Sequence, residues 1–156
     1  ETLEPFLQVC RDEGKGVFAL VRTSNPGSKD LQDVETKDGR TVSELLADTL
    51  APTAAGRQLM GDNGFSNLGA VVGATQTHTM ISLRRRLPHS IFLLPGYGTQ
   101  GATADMTRAA FDDKGRGAIV SASRSVLYPK RQAAEDWQAA IARAARKMAD
   151  EVRAVL

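Results

Sequence analysis

The sequence has 156 residues, of which 42% are hydrophobic and 24% are charged, values that are ordinary for one compact globular domain. They exclude collagen-like and disordered chains, and no apolar run approaches the roughly 20 residues that a membrane helix needs. The 20 Lys plus Arg and 18 Asp plus Glu leave a net charge of +2, which is too small to indicate a nucleic-acid partner.

The N-terminus, Glu-Thr-Leu-Glu-Pro, lacks the basic and apolar regions of a signal peptide, so we expect a cytoplasmic protein without a membrane partner. The chain opens with Glu1 instead of Met, from which we expect part of a longer protein. The single cysteine, Cys10, has apolar neighbours and is predicted to be a buried thiol without a redox or metal role.

Helix and strand patterns alternate along the chain. A helix predicted at 2–13 has Pro5 in its first turn, where proline is tolerated, and ends at Gly14. A helix at 42–60 has Thr41 or Ser43 as its N-cap and is interrupted at Pro52. Three further helices are predicted at 77–87, 103–113 and 132–155. Four short apolar runs predict strands that are buried on both faces, at 16–21, 69–74, 91–94 and 117–120.

This alternation is typical of a parallel sheet with crossover helices. It fits an open doubly wound sheet or part of a (β/α)8 barrel; because a complete barrel needs about 250 residues and eight strands, the sequence would hold half of one. The basic run Arg84 to Arg86 is expected to complement a helix dipole. The last helix is predicted to pack an apolar stripe in the core, formed by Trp137, Ile141, Ala144, Met148, Val152 and Val155.

Ligands of both architectures bind at the carboxyl ends of the strands. The residues directly after the predicted strands, at 22–28, 75–76, 95–101 and 121–125, are mostly polar or glycine. Gly96, Gly98 and Gly101 would let the backbone approach an anion closely and turn amides towards it. Their segment spells GxGxxG but lacks the other residues of a Walker loop or a dinucleotide fingerprint, so a plain glycine-rich turn stays open.

Arg124 follows the fourth predicted strand and could share a phosphate with the glycine loop through two parallel hydrogen bonds; its alternative role is a surface ion pair. Ser24 and Asn25 could bind a polar ring or simply form a turn. His78 and His89 lack the spaced partners that a metal or catalytic site needs. The strand ends therefore favour phosphate binding without a metal.

Four segments in register resemble orotidine 5'-phosphate decarboxylases of the longer bacterial, or type 2, branch. They are VFALVRTSNPG at 17–27, GAVVGAT at 69–75, FLLPGYGTQG at 92–101 and SASRS at 121–125. They are similar in order and spacing to strands five to eight of that family's (β/α)8 barrel, with 2–13 as the preceding helix. The resemblance implies that residues 1–156 are the C-terminal half of a single barrel domain whose N-terminal half is absent from the chain.

The resemblance further implies a homodimeric enzyme without a cofactor, which decarboxylates orotidine 5'-phosphate to uridine 5'-phosphate in pyrimidine biosynthesis. By motif position, Ser24 would bind the pyrimidine, and Gln100, in a mobile loop, would bridge base and phosphate. Arg124 and amides near Gly101 would hold the phosphate. Gly96 and Gly98 would belong to the phosphate loop. Phosphate binding far from the reacting carbon would help to close the loop and exclude water.

The family's catalytic Asp-x-Lys-x-x-Asp pattern is missing from this sequence. Its lysine would protonate the carbanion formed at C6, while a carboxylate would disfavour the bound substrate carboxylate relative to the transition state. We therefore expect this chain to bind but not to catalyse without the missing N-terminal half. Two other functions stay open: another phosphate-binding (β/α)8 enzyme, and a non-catalytic open-sheet nucleotide-binding module.

Overall fold

The computed structural model describes residues 2–156. Four strands lie in these residues: β1 Val17–Arg22, β2 Ser66–Val72, β3 Ser90–Leu94 and β4 Ala118–Val120. The helices are α1 Glu4–Glu13, α2 Lys29–Gln32, α3 Val42–Ala54, α4 Thr77–Arg86, α5 Ala104–Thr107, α6 Arg124–Leu127 and α7 Trp137–Arg153. Short 3-10 turns are found at Pro26–Ser28, Arg57–Leu59 and Arg108–Ala110. None of the helices described is long and apolar enough to cross a membrane.

The strands lie side by side in the order of the sequence, β1-β2-β3-β4, and every neighbouring pair is parallel. A doubly wound sheet instead reverses its strand order at a switch point. The described residues show no such reversal. Sequential parallel strands joined by helices are the arrangement of neighbouring units in a (β/α)8 barrel.

One face of the sheet is covered by helices. Ala19, Ala70, Phe92 and Ala118 are paired in register across the four strands and belong to this face. The helices add buried apolar side chains from α1, α3 and α4: Leu7, Cys10, Ala47, Leu50, Ala54, Met80 and Leu83. Because Cys10 is only 2% exposed within this core, its predicted role as a buried thiol is confirmed.

The opposite face is apolar and is left uncovered by the residues described. Leu20, Val71, Leu93 and Ile119 are paired in register across the sheet and point away from the helices. At the two edges, Leu20 is 64% and Ile119 is 50% exposed. Such side chains fill the interior of a (β/α)8 barrel in layers. Helices on one face and a bare apolar row on the other confirm the predicted barrel segment.

Local side-chain chemistry explains several helix ends. Thr41 caps α3, because its hydroxyl accepts from the Glu44 amide while the Glu44 carboxylate accepts from the Thr41 amide. Ser43, the other candidate cap, is buried. Pro5 lies in the first turn of α1, and Gly14 ends this helix in the left-handed conformation, with φ 62°, as predicted.

Two predicted helices are shorter than expected. The helix predicted to reach residue 60 stops before Gly56, where the backbone becomes extended, and Met60 instead forms an antiparallel bridge with Ser66. The helix predicted at 103–113 is reduced to α5 and a 3-10 turn. The Thr107 hydroxyl donates to the Ala104 carbonyl over 2.7 Å, and such local bonds compete with the helical ladder.

The last helix also differs from its prediction. It begins at Trp137 and not at 132, because the Asp136 carboxylate accepts from the Ala139 amide and caps it there. The prediction that Trp137 packs in the core is wrong, since its side chain is 61% exposed. The helix lies beside the edge strand β4, and an apolar groove of about 640 Å³ runs between them. The rest of the predicted stripe is therefore half-buried.

Arg84 joins α4 to the amino ends of the strands. Its guanidinium donates to four backbone carbonyls, those of Leu87, Ser90, Ala110 and Gly117. It also lies 3.7 Å from the centroid of the Phe92 ring, close enough for a cation–π interaction. Burial lowers the pKa of Arg84 to about 10, so the side chain stays charged at neutral pH. The prediction that Arg84 complements the dipole of its helix does not explain its hydrogen bonds to Ser90, Ala110 and Gly117, which lie outside α4.

Candidate functional site

The loops that follow the strands meet at the carboxyl edge of the sheet. The Gly73 amide donates to the Arg22 carbonyl over 2.7 Å, and the Ala74 amide donates to the Pro95 carbonyl over 3.0 Å. The Ser121 amide donates over 3.0 Å to the last residue of β3. Hydrogen bonds thus join each loop to its neighbour, and the polar residues of all four loops share one surface.

Ser24 and Gln100 lie next to the same glycine, Gly96. A methyl group placed on Gly96 would lie 3.4 Å from Ser24 Oγ and 2.8 Å from Gln100 Oε1. Gly96 also has φ 102°, which residues with a side chain rarely adopt. The missing side chain leaves a small gap, which Gln100 Oε1 enters and which the Ser24 hydroxyl borders. The hydroxyl and the amide are thus close enough for both to contact one ligand.

The glycine loop forms a closed turn. The Gly98 amide donates to the Ala102 carbonyl over 3.0 Å, and the Gly101 amide donates to the Gly98 carbonyl over 2.9 Å. The Gly101 amide is thus engaged within the loop, and an anion can use it only by exchanging this bond. Gly98, Gln100 and Gly101 are all exposed at the loop tip.

Tyr97 fixes the base of this loop, a role that no local sequence pattern reveals. Its side chain is buried, and its hydroxyl donates to the Glu151 carboxylate of α7 over 2.6 Å, across 54 positions of sequence. Burial and the adjacent carboxylate raise the pKa of Tyr97 to about 12. The hydroxyl therefore remains a donor at neutral pH and ties the glycine loop to the last helix.

The loop after β4 lies against the glycine loop. A methyl group on Gly98 would lie 2.9 Å from Ser125 Oγ, so the start of α6 and the glycine loop are in contact. Arg124, the first residue of α6, is exposed. Among residues 2–156 it has no partner for a salt bridge, so the alternative surface ion pair is not formed there. Arg124 therefore lies one residue before the contact between Ser125 and the glycine loop.

A compact turn places Ser24 at this edge. Arg22, buried at the end of β1, donates two hydrogen bonds to the Asp33 carboxylate, over 2.8 and 2.9 Å. Ser28 is also buried, and its amide donates to the Asn25 carbonyl over 3.0 Å. Of the two candidates for ring binding, Asn25 therefore forms part of the turn, whereas Ser24 lies beside the glycine gap.

The histidines do not contribute a metal centre. His78 and His89 are both exposed, and His89 lies at the opposite end of the sheet, directly before β3. Within the described part of the chain, no group of three or more His, Cys, Asp or Glu side chains could hold a metal ion. At the carboxyl edge, the Ser24 hydroxyl and the Gln100 amide thus lie beside Gly96, and the residue after Arg124 contacts Gly98.

No family model matches the chain. Among curated relatives, the orotidine 5'-phosphate decarboxylase of Rhodopirellula baltica is 39% identical over 98% of this chain and 52% of its own length. The enzyme of the same name from Clostridium tetani is 40% identical over 81% of this chain and 43% of its own length. The chain thus spans about half the length of the curated relatives it matches.

Solved structures give the same result. OMP decarboxylase of Leishmania donovani superposes with a TM-score of 0.71 at 31% identity, over 98% of this chain and 52% of that structure. UMP synthase of the same organism superposes with a TM-score of 0.74 at 33% identity, over 98% of this chain and 30% of that structure. Sequence and fold agree along nearly the whole chain, which therefore belongs to the orotidine 5'-phosphate decarboxylase family.

Proposed function

We propose that this chain supplies the phosphate- and pyrimidine-binding part of an enzyme that converts orotidine 5'-phosphate to uridine 5'-phosphate and carbon dioxide without a cofactor. The observation that carries the proposal is that Ser24 and Gln100 both lie beside Gly96, while Ser125, the neighbour of Arg124, contacts Gly98 in the same loop. Relatives of the chain are named for this reaction.

Recognition of the base follows from the hydrogen-bonding capacity of Ser24 and Gln100. A pyrimidine ring presents carbonyl acceptors next to an N–H donor, so it needs partners that both donate and accept. A serine hydroxyl and a glutamine amide each do both. Gln100 also belongs to the loop that contacts α6, which supports assigning its amide the bridge between the base and the phosphate.

In this proposal, Arg124 supplies the main positive charge that binds the phosphate. A guanidinium forms short, charge-assisted hydrogen bonds with phosphate oxygens, and Arg124 has no competing carboxylate within residues 2–156. The Gly101 amide joins when the closed turn rearranges around the anion. Coupling phosphate binding to a loop change excludes water from the reacting carbon, so remote binding energy lowers the barrier.

The catalytic lysine and carboxylates implied by the family would come from a second segment, the N-terminal half of the barrel. Two features support this assignment. The outer edges of β1 and β4 are unpaired, and the apolar row that includes Leu20 and Ile119 is uncovered. Unpaired edges and exposed apolar faces of this kind are typical of surfaces that bind another segment. The groove beside β4 supports it as well. The complete enzyme would be a cytoplasmic homodimer, as the family resemblance implies.

Calorimetric titration of uridine 5'-phosphate tests this function, with uridine and ribose 5-phosphate as controls. The titration is made into this chain alone and into the chain mixed with the N-terminal half of a relative. We expect saturable binding that needs the phosphate and prefers uridine 5'-phosphate, and decarboxylation only in the mixture. Equal affinity for uridine 5'-phosphate and ribose 5-phosphate would favour another phosphate-binding barrel, and absence of binding in both samples would contradict the proposal.

A further inference from the structure

A β-bulge turns Arg22 away from the bare face of the sheet. Leu20 pairs with Val71 and Arg22 pairs with Val72, so Val21 is an extra residue in β1. Bulges re-aim the side chains that follow them and are frequent beside active sites. Val21 and Arg22 are consequently both buried, at 1% and 2% exposure, where simple alternation would have placed Arg22 on the same face as Leu20.

The buried guanidinium is bonded to one loop. Nε and Nη2 donate to the two oxygens of Asp33, while Nη1 donates to the Thr23 carbonyl and to Ser28 Oγ. Nη1 also lies 3.4 Å from Gln32 Oε1. All of these acceptors fall within residues 23–33. The side chain of Arg22 therefore orders the segment that begins directly after its own strand.

Thr23 is held from two sides by this network. Its carbonyl accepts from Arg22, and its amide donates to Gln32 Oε1 over 2.9 Å. The next residue, Ser24, has no freedom towards the sheet, because a methyl group on Gly73 would lie 2.9 Å from both the nitrogen and the Cα of Ser24. The backbone of Ser24 is thus fixed by Thr23 on one side and by the β2 loop on the other.

Stability alone does not explain an arginine at this position. Replacing a buried ion pair with apolar groups of similar volume is often neutral or stabilising. An apolar residue at position 22 could therefore contribute about as much to the free energy of unfolding as the buried Arg22 does. The planar fork of a guanidinium does fix the direction of its partners. Every partner of Arg22 lies in the loop that presents Ser24.

Resting on the function proposed above, we infer that Arg22 is a positioning residue for pyrimidine recognition. Together with Gln32 and Asp33 it fixes Thr23, and thereby directs the Ser24 hydroxyl towards the gap at Gly96. Arg22 does not touch the ligand. Its effect is on the discrimination between a nucleotide with a uracil base and a bare ribose phosphate.

The test compares two ligands in the Arg22→Lys variant, which keeps the charge but cannot form the bidentate contact. We expect the affinity for uridine 5'-phosphate to fall about tenfold, as a displaced contact group does, and the affinity for ribose 5-phosphate to stay unchanged. Arg116→Lys is the matched control, because Arg116 pairs with Asp112 over 3.0 Å at the other end of the sheet. It should leave both affinities unchanged.

A double variant separates positioning from general stability. If Arg22 acts through Ser24, Arg22→Lys causes no further loss of affinity in a Ser24→Ala background. Equal losses for both ligands, or a loss that persists without the Ser24 hydroxyl, would overturn the inference.

If Arg22→Lys does not fold, Gln32→Ala replaces it, because this variant removes the acceptor of the Thr23 amide and leaves Arg22 in place. It is tested with the same two ligands and in the same Ser24→Ala background. Failure of the unsubstituted chain to bind uridine 5'-phosphate, alone or with the N-terminal half, overturns the proposed function itself. If the unsubstituted chain binds uridine 5'-phosphate and both Arg22→Lys and Gln32→Ala bind it with the same affinity, only the role of Arg22 is overturned.

Discussion

Arg84 at the amino end of the parallel sheet and Arg124 at its carboxyl end are used in opposite ways. At the amino end, Arg84 donates to four backbone carbonyls and Arg116 pairs with Asp112. At the carboxyl end, Arg124 is exposed and has no ion-pair partner among residues 2–156. The arginines at the amino end are bonded within the fold, and so is Arg22 at the carboxyl end. Arg124 instead is available to a ligand, at the edge of the sheet where (β/α)8 enzymes bind their ligands.

This difference separates stability from binding. Substitutions at the amino end should change the free energy of unfolding without changing relative ligand affinities. Substitutions around the glycine loop should do the reverse. The variants below test that separation.

The largest effect is expected for Arg84→Met. It removes the four hydrogen bonds to backbone carbonyls and the contact with Phe92, and should lower the free energy of unfolding by about 3 kcal/mol, measured by urea denaturation. Arg85→Met is the control, because the neighbouring Arg85 is exposed and should have an effect of about 0.5 kcal/mol or less. Similar losses in the two variants would mean that the carbonyl contacts of Arg84 do not stabilise the sheet.

Arg124→Ala should weaken binding of uridine 5'-phosphate by about 2 to 3 kcal/mol, the range for losing charge-assisted hydrogen bonds, and leave the unfolding midpoint unchanged. Calorimetry measures the first quantity and urea denaturation the second. Arg146→Ala removes the same charge from an exposed position of α7 and controls for long-range electrostatics. An unchanged affinity in Arg124→Ala would remove this residue from the site.

Gly96→Ala should weaken binding of the same ligand by about 2 kcal/mol. Its methyl group would displace the Gln100 amide, whose oxygen lies 2.8 Å away, and a side chain at this φ is itself strained. Gly39→Ala is the matched control: Gly39 has φ 80° and nothing within 4 Å of its added methyl group. It shares the strain but not the obstruction. Equal affinities in the two variants would show that the position of Gln100 beside Gly96 does not contribute to binding.

Gln100→Ala should weaken the binding of uridine 5'-phosphate by about 1 kcal/mol, because it removes about one net hydrogen bond. It should weaken the binding of inorganic phosphate less. Titration of both ligands measures the difference. Thr99→Ala, in the same exposed loop, should alter neither affinity to this extent. Equal effects of Gln100→Ala on the two ligands would contradict its role in bridging base and phosphate.

The smallest effect is expected for Tyr97→Phe, which removes the hydrogen bond to Glu151 and should lower the free energy of unfolding by about 0.5 kcal/mol. Because folding raises the pKa of Tyr97 from 10 to about 12, its contribution is complete below pH 10 and is lost as the pH rises towards 12. The variant should lack this alkaline loss. Tyr128→Phe, at an 82% exposed position, should keep the pH profile of the parent, and matching profiles for all three proteins would refute the anchoring role.

Local signals in the sequence were sufficient for the order of the elements and for several of their ends. Apolar runs predicted all four strands to within a few residues. The Thr41 cap and the stop at Gly14 depend on neighbouring residues only, so they can be predicted from sequence. The position of Ser24, Gln100 and Arg124 at the carboxyl edge follows from the same reasoning, because each comes directly after a strand.

Features that depend on distant residues were not predicted. Arg84 finds carbonyls up to 33 positions away, and Tyr97 finds Glu151 in the last helix. The exposure of Trp137 could not be predicted from helical spacing, because spacing identifies the apolar face of a helix but not which of its turns another element covers. Trp137 lies in the first turn of α7. Arg22 did carry a signal: a charged residue closing an apolar strand, with a carboxylate at Asp33 downstream, is unusual enough to suggest a buried partner.

The bare row of the sheet has a consequence for the synthesis of the protein in the cell. Each strand pairs with its neighbour in the sequence, so the sheet can grow while the ribosome is still extending the chain. Leu20 and Ile119 stay exposed to solvent until another surface covers them, and exposed apolar surface of this kind promotes aggregation of folding intermediates. The interval between sheet formation and covering of this row is therefore the stage at which a chaperone would increase the yield of native protein most.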